Sequence, residues 1–231
     1  MLSLDSTNHS GSLIKSQMSL IEVGFWAIKN RVSEDAPIPG IDPRDSVDPE
    51  WFTIAHNIRI TNIFGITPEM SFSVLQRLVW YLRFAGVIES YEHGYSYCRF
   101  QSCKIARENV KVMGACTFTD GIYCWPEGYC HYIMYHCVKP PQKFLNHVEN
   151  NFRYAVQSAR DREAQSMGLC LWNTESMQAE SMPKCNSEWI LEHTNIRLVS
   201  VNSSLVEMHT WTPVINSVGW IDKSCSVGDS T

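Results

Sequence analysis

The chain has 231 residues, 44% of them hydrophobic and 19% charged, with a formal net charge of −5. That apolar fraction, irregularly spaced, excludes collagen-like, coiled-coil and wholly disordered chains. With 19 Lys and Arg against 24 Asp and Glu, the chain offers no broad attraction for nucleic acid or anionic lipid, so neither partner is expected.

In chain order, Met1 to Gln17 is rich in Ser, Asn and Thr. It lacks the basic stretch followed by an apolar run that marks a secretory leader, and residues 1–19 read as a flexible tail. Ile21 to Ile28 is apolar and partly alternating, which predicts a strand. Four prolines between Pro37 and Pro49 predict loop and place Trp51 in the core. A helix is predicted over Pro68 to Ala85, with Thr67 as its cap and Gly86 as a left-handed stop. Phe72, Leu75, Val79 and Leu82 make its apolar stripe.

Val87–Tyr91 and Tyr95–Phe100 read as one hairpin turning at His93-Gly94. Ala115–Phe118 and Ile122–Trp125 read as a second, turning at Asp120-Gly121. A short helix follows from Pro126 to Cys137, ended by Lys139-Pro140-Pro141. A longer one runs from about Gln142 to Ala164, with Phe144, Leu145, Val148, Phe152 and Val156 on one side. Beyond Met167, Ile196–Val206 and Thr210–Trp220 alternate imperfectly and suggest strands. The expectation is one α+β domain over residues 20–165, with two β-hairpins and about three helices, and a C-terminal extension over 166–231. No stretch approaches the roughly 18 apolar residues of a membrane span. The expected compartment is the cytoplasm.

Six of the nine cysteines lie between Cys98 and Cys137. In a reducing compartment such a cluster points to thiols, metal ligands or catalytic groups rather than disulfides. Cys98 and Cys103 form C-x4-C, and His131 and His136 form H-x4-H. Two thiolates and two imidazoles are a zinc ligand set. On a regular helix, residues five apart point about 140° away from each other. Both histidines can therefore reach one metal only if the helix tightens or ends near His136. The 27 residues between the pairs exceed compact zinc-finger spacing, and Cys116, Cys124, Cys130 and Cys137 are competing ligands. The alternative is that the cysteines are small buried hydrophobes.

A catalytic alternative uses Glu127 and His131, four apart on one helix face, as an acid/base pair with Asp120 in a cleft lined by Trp125. Walker A, G-x-G-x-x-G, H-E-x-x-H and G-x-S-x-G motifs are absent from the sequence.

The runs Tyr95-Ser96-Tyr97-Cys98-Arg99-Phe100, Met113-Gly114 and Thr119 to Tyr132 resemble a group of small uncharacterised soluble proteins. That group shares a T-D-G-x-x-x-W-P-E-G-x-x-H-Y core and a second His five residues on. The resemblance covers about residues 20–150 and implies no activity. It puts weight on Asp120, Trp125, Glu127, His131 and His136, which match the pattern. It removes weight from Cys116, Cys124, Cys130 and Cys137, and it fits Cys98 more clearly than Cys103. The expectation that follows is a non-catalytic protein acting through protein partners, with a structural zinc at Cys98, Cys103, His131 and His136. The alternative is a small hydrolase-like enzyme using Glu127, His131 and Asp120.

Overall fold

The computed structural model describes residues 19–26, 42–60 and 71–210. The predicted tail over residues 1–18, Ile28, the prolines at 37 and 39, the Thr67 cap and the predicted strand beyond Thr210 lie outside them. Six strands form one mixed sheet: β1 (Ile21–Glu22), β2 (Val87–Tyr91), β3 (Cys116–Thr119), β4 (Tyr123–Pro126), β5 (Cys170–Asn173) and β6 (Gln178–Ser181). Their order is β1-β4-β3-β2-β5-β6. Seven α-helices accompany it among the described residues: α1 (Pro49–Asn57), α2 (Val74–Trp80), α3 (Lys104–Glu108), α4 (Tyr129–His136), α5 (Gln142–Ala164), α6 (Lys184–His193) and α7 (Val201–Thr210).

The class is α+β, but the expected plan of two hairpins and about three helices is wrong. The β3–β4 hairpin forms where the Asp120-Gly121 turn predicts it, with Phe118 opposite Trp125. The hairpin expected over Val87 to Phe100 does not form. β2 pairs instead with β3, antiparallel, and with β5, parallel, so its two edges are already filled. Residues 95–100 cross to α4, where Phe100 is buried against Tyr132, Met113 and Val138. A second hairpin forms at β5–β6, a stretch whose outer strand is polar and carries no hydrophobic alternation.

The prolines around Pro49 conceal a helix. Pro49 occupies the first turn of α1, where a missing amide costs nothing, and the Asp48 side chain caps it by accepting from Trp51 N at 2.8 Å. α2 starts six residues later than predicted, at a capping box between Ser73 and Gln76. It continues through a π-type turn, Tyr81–Ala85. Its apolar stripe is the one predicted: Phe72, Leu75, Val79 and Leu82 are all buried. Gly86 is not a left-handed stop, since its φ is −76°. It is glycine because a Cβ there would stand 2.8 Å from the Trp125 ring.

The main core lies between α2, α4, α5 and the sheet, around Trp80, Trp125, Tyr129, Phe144 and Phe152. Within it Arg77 pairs with Glu149 at 3.1 Å and lies over the Phe152 ring. The residues after 165 extend the same structure. β5 joins the sheet between β2 and β6, Ile190 of α6 packs on Ile88 and Leu169, and α7 adds Val201, Leu205 and Met208 to the main core. Residues 201–206, predicted as strand, are the first turns of α7. No helix among the described residues is long and apolar enough to cross a membrane.

Candidate metal centre

Cys98 lies in the irregular segment between β2 and α3. The buried Phe100 anchors that segment, as does Arg99 N, which donates to the Tyr132 hydroxyl at 3.0 Å. Five residues on, Cys103 caps α3, and its Sγ accepts from Ala106 N at 3.4 Å. His131 and His136 come from α4. The helix ends at His136, and Cys137 turns left-handed with φ 52° and ψ 30°. This early end meets the condition that two histidines five apart must satisfy. The Phe100 ring stacks on His136 with centroids 4.0 Å apart, which fixes the imidazole plane.

The four side chains converge. His131 Nε2 lies 3.5 Å from Cys103 Sγ, 3.4 Å from Cys98 Sγ and 3.1 Å from His136 Nε2. His136 Nε2 lies 3.3 Å from Cys98 Sγ. One ligand atom from each residue falls within 4.8 Å of all the others, so the cluster can hold a metal ion, the only such group among the described residues.

Burial keeps both imidazoles neutral. It pushes the pKa of His131 down to about 3, with help from neighbouring His136, and that of His136 down to about 4. A neutral imidazole offers the lone pair that a metal needs. His131 Nδ1 is enclosed and has no hydrogen-bond partner.

The competing cysteines are elsewhere. Burial pushes the Cys116 thiol up to about 12, with the Glu127 carboxyl adding to it. Burial likewise raises Cys124, to about 11, as well as Cys130 and Cys137. These groups stay protonated and behave as small core residues.

The candidate catalytic residues Glu127, His131 and Asp120 belong to three separate hydrogen-bond networks. Glu127 Oε2 accepts from Ala115 N at 3.0 Å and Cys116 N at 3.3 Å, and its Oε1 accepts from Asn195 N at 3.1 Å. It ties the start of β3 to the segment after α6. Asp120 Oδ1 accepts from Ile122 N and Tyr123 N, closing the hairpin turn. Its Oδ2 accepts from the Tyr81 hydroxyl and faces His147 Nε2, each at 2.8 Å. His131 belongs to the cluster above.

Sequence reasoning missed Tyr81 and His147 as partners of Asp120. Their positions on α5 and at the end of α2 carry no local signal, and only the packing of those helices on the hairpin brings them together. Trp125 lines no cleft. It is fully buried, and its indole N–H donates to Leu82 O.

No protein-family model matches the chain, and neither the curated proteins nor the solved structures hold a match to it.

Proposed function

We propose that the protein is a non-catalytic α+β protein stabilised by a structural zinc ion and acting through protein partners. Cys98, Cys103, His131 and His136 are the ligands. The observation that carries this is the mutual approach of four donor atoms. His131 Nε2 faces three heteroatoms at 3.1–3.5 Å. One lone pair or one N–H cannot satisfy three partners, whereas one cation at their centre satisfies all four donors.

The edges also have the right size. Zinc bonds of about 2.3 Å to sulfur and about 2.0–2.1 Å to nitrogen give tetrahedral S···N and N···N edges of about 3.6 Å and about 3.3 Å. Three of the four S···N edges run from 3.3 to 3.5 Å and the N···N edge is 3.1 Å. A centre of two thiolates and two imidazoles selects zinc over the hard cations. Four protein ligands leave no position for substrate, which supports a structural role over catalysis. The separation of Glu127, Asp120 and His131 supports the same choice over the hydrolase-like reading. Thiolate ligands suit the reducing cytoplasm, the compartment proposed with this role. The likeness of residues 119–132 to the W-P-E-G-x-x-H-Y group belongs to the same proposal.

Cobalt titration of the metal-free full chain tests it. Tetrahedral Co2+ with thiolate ligands gives intense visible bands and a thiolate charge-transfer band. The expected result is both bands saturating at one cobalt per chain and bleaching on zinc addition, with a rise in unfolding temperature. Weak octahedral absorption, or none, overturns the proposal.

A further inference from the structure

The two cysteines of the cluster differ in access. Cys103 is buried, whereas Cys98 is half-buried and follows two exposed residues, Ser96 and Tyr97. A small solute can therefore reach the centre from the Cys98 side. Both cysteines are reduced.

Their sulfurs lie within 4.8 Å of each other, and a disulfide needs about 2.0 Å. Both also approach one atom, His131 Nε2, at 3.4 and 3.5 Å. The backbone between them is suited to closing the gap. Residues 92–103 form no strand or helix. The connection from Cys98 to Cys103 is a turn, closed by Cys103 N donating to Phe100 O at 3.0 Å. Rotation of the two side chains with a small shift of the Cys98 backbone brings the sulfurs together without unpairing a strand or unwinding a helix.

The other described thiols are poorer targets. Cys116, Cys124, Cys130, Cys137 and Cys170 are buried, and burial raises each above the ordinary thiol value. A protonated thiol is a weak nucleophile. Cys185 on α6 is exposed but stands outside the cluster.

We infer that the centre is a redox switch, in which a hydroperoxide oxidises Cys98 and Cys103 to a disulfide and the metal leaves. The inference rests on the metal reading, because the bound ion is what keeps both sulfurs as thiolates. The Cys98 thiolate attacks one oxygen of H2O2, breaking the O–O bond and giving a sulfenic acid and hydroxide. The Cys103 thiolate then attacks the sulfenic sulfur, forming the S–S bond and expelling a second hydroxide. Two electrons pass from the sulfur pair to the peroxide, and two protons turn the hydroxides into water. The disulfide carries no anionic donor, so the ion keeps only the two imidazoles and is released. Release unties residues 98–103 from α4, leaving the Phe100–His136 stack and the bond from Arg99 N to the Tyr132 hydroxyl to hold them.

Treatment of the zinc-loaded full chain with H2O2 tests this. A chromophoric zinc chelator follows release, and non-reducing peptide mass mapping locates the oxidised sulfurs. The expected result is one zinc released per Cys98–Cys103 disulfide, with zinc binding restored by a thiol reductant and added zinc. Cys185→Ser should release zinc at the parent rate. Cys98→His keeps a ligand but removes the partner thiol. It should lose the disulfide and hold its zinc at a peroxide dose that empties the parent. If Cys98→His takes up no zinc, mapping of the parent decides alone. Zinc retained while Cys185 is oxidised overturns the inference. So does release with Cys98 and Cys103 carried to sulfinic acids instead of joined. A chain that takes up no zinc refutes the metal reading and this inference with it, whereas one that holds zinc through the same treatment refutes the switch alone.

Discussion

Replacing Glu127 with alanine removes the acceptor of three backbone amides without touching the metal ligands. Cys116 is buried and Ala115 half-buried, while Asn195 is exposed and can turn its amide to water. A buried amide left unsatisfied costs about 1–3 kcal/mol, so the two give at most about 2–6 kcal/mol. Burial raises the pKa of the Glu127 carboxyl in spite of those bonds. Part of the loss is therefore offset when the buried charge is removed, and a net destabilisation of about 2–4 kcal/mol follows.

Gly114 supplies the second arm of the test. Its φ is +65° and ψ is −179°, a region open almost only to glycine, and a Cβ there would stand 2.1 Å from the Glu127 carboxyl carbon. Gly114→Ala should therefore be destabilising in its own right. Combined with Glu127→Ala it should cost less than the sum, because the colliding carboxyl is gone while the backbone strain remains. Urea unfolding of the zinc-saturated proteins, followed by tryptophan fluorescence, measures all three variants. A loss below about 1 kcal/mol for Glu127→Ala, or strict additivity with Gly114→Ala, refutes the role of Glu127 as a strut between β3 and the segment after α6.

Other expectations follow from the same structure. Cys130→Ala and Cys137→Ala should keep the metal at one equivalent by elemental analysis, whereas Cys103→Ala should lose it, since of these three only Cys103 lies in the cluster. Phe152→Ala should cost about 3–5 kcal/mol in urea unfolding, because the ring is fully buried and makes edge contacts with Phe72 and Trp80. The metal-free protein should lose stability as pH falls below about 6.5, the ordinary histidine value. His131 and His136 stay neutral in the fold down to about 3 and about 4, while the unfolded chain takes up their protons earlier. Equilibrium unfolding between pH 7 and pH 4 checks the sign, and a stability that is flat or rises on acidification contradicts it.

The sequence carried the candidate site further than it carried the fold. The cluster of Cys98, Cys103, His131 and His136 was legible because side chains able to hold a metal announce themselves by residue type and spacing, and the condition on the end of α4 could be written from helix geometry alone. The β3–β4 hairpin was legible from Asp120-Gly121 between apolar strands. What failed depends on contacts far apart in sequence. Tyr95–Phe100 has strand composition, yet β2 already has β3 and β5 on its two edges, so these residues pack on α4 instead. α1 was hidden because Pro49 reads as loop unless it is taken together with Asp48 as a cap. β6, Gln178–Ser181, is polar and lies at the outer edge of the sheet, where no face needs to be apolar. The tie of Glu127 to Ala115, Cys116 and Asn195 has no local signature, so Glu127 read as an acid/base candidate rather than a strut.

The central claim is tested most directly by elemental mass spectrometry of the purified full chain beside its His131→Ala, His136→Ala variant. The proposed zinc site predicts close to one zinc per chain in the first and none in the second, with Glu127→Ala retaining the metal. No zinc in the parent chain, or equal zinc in the histidine variant, contradicts it.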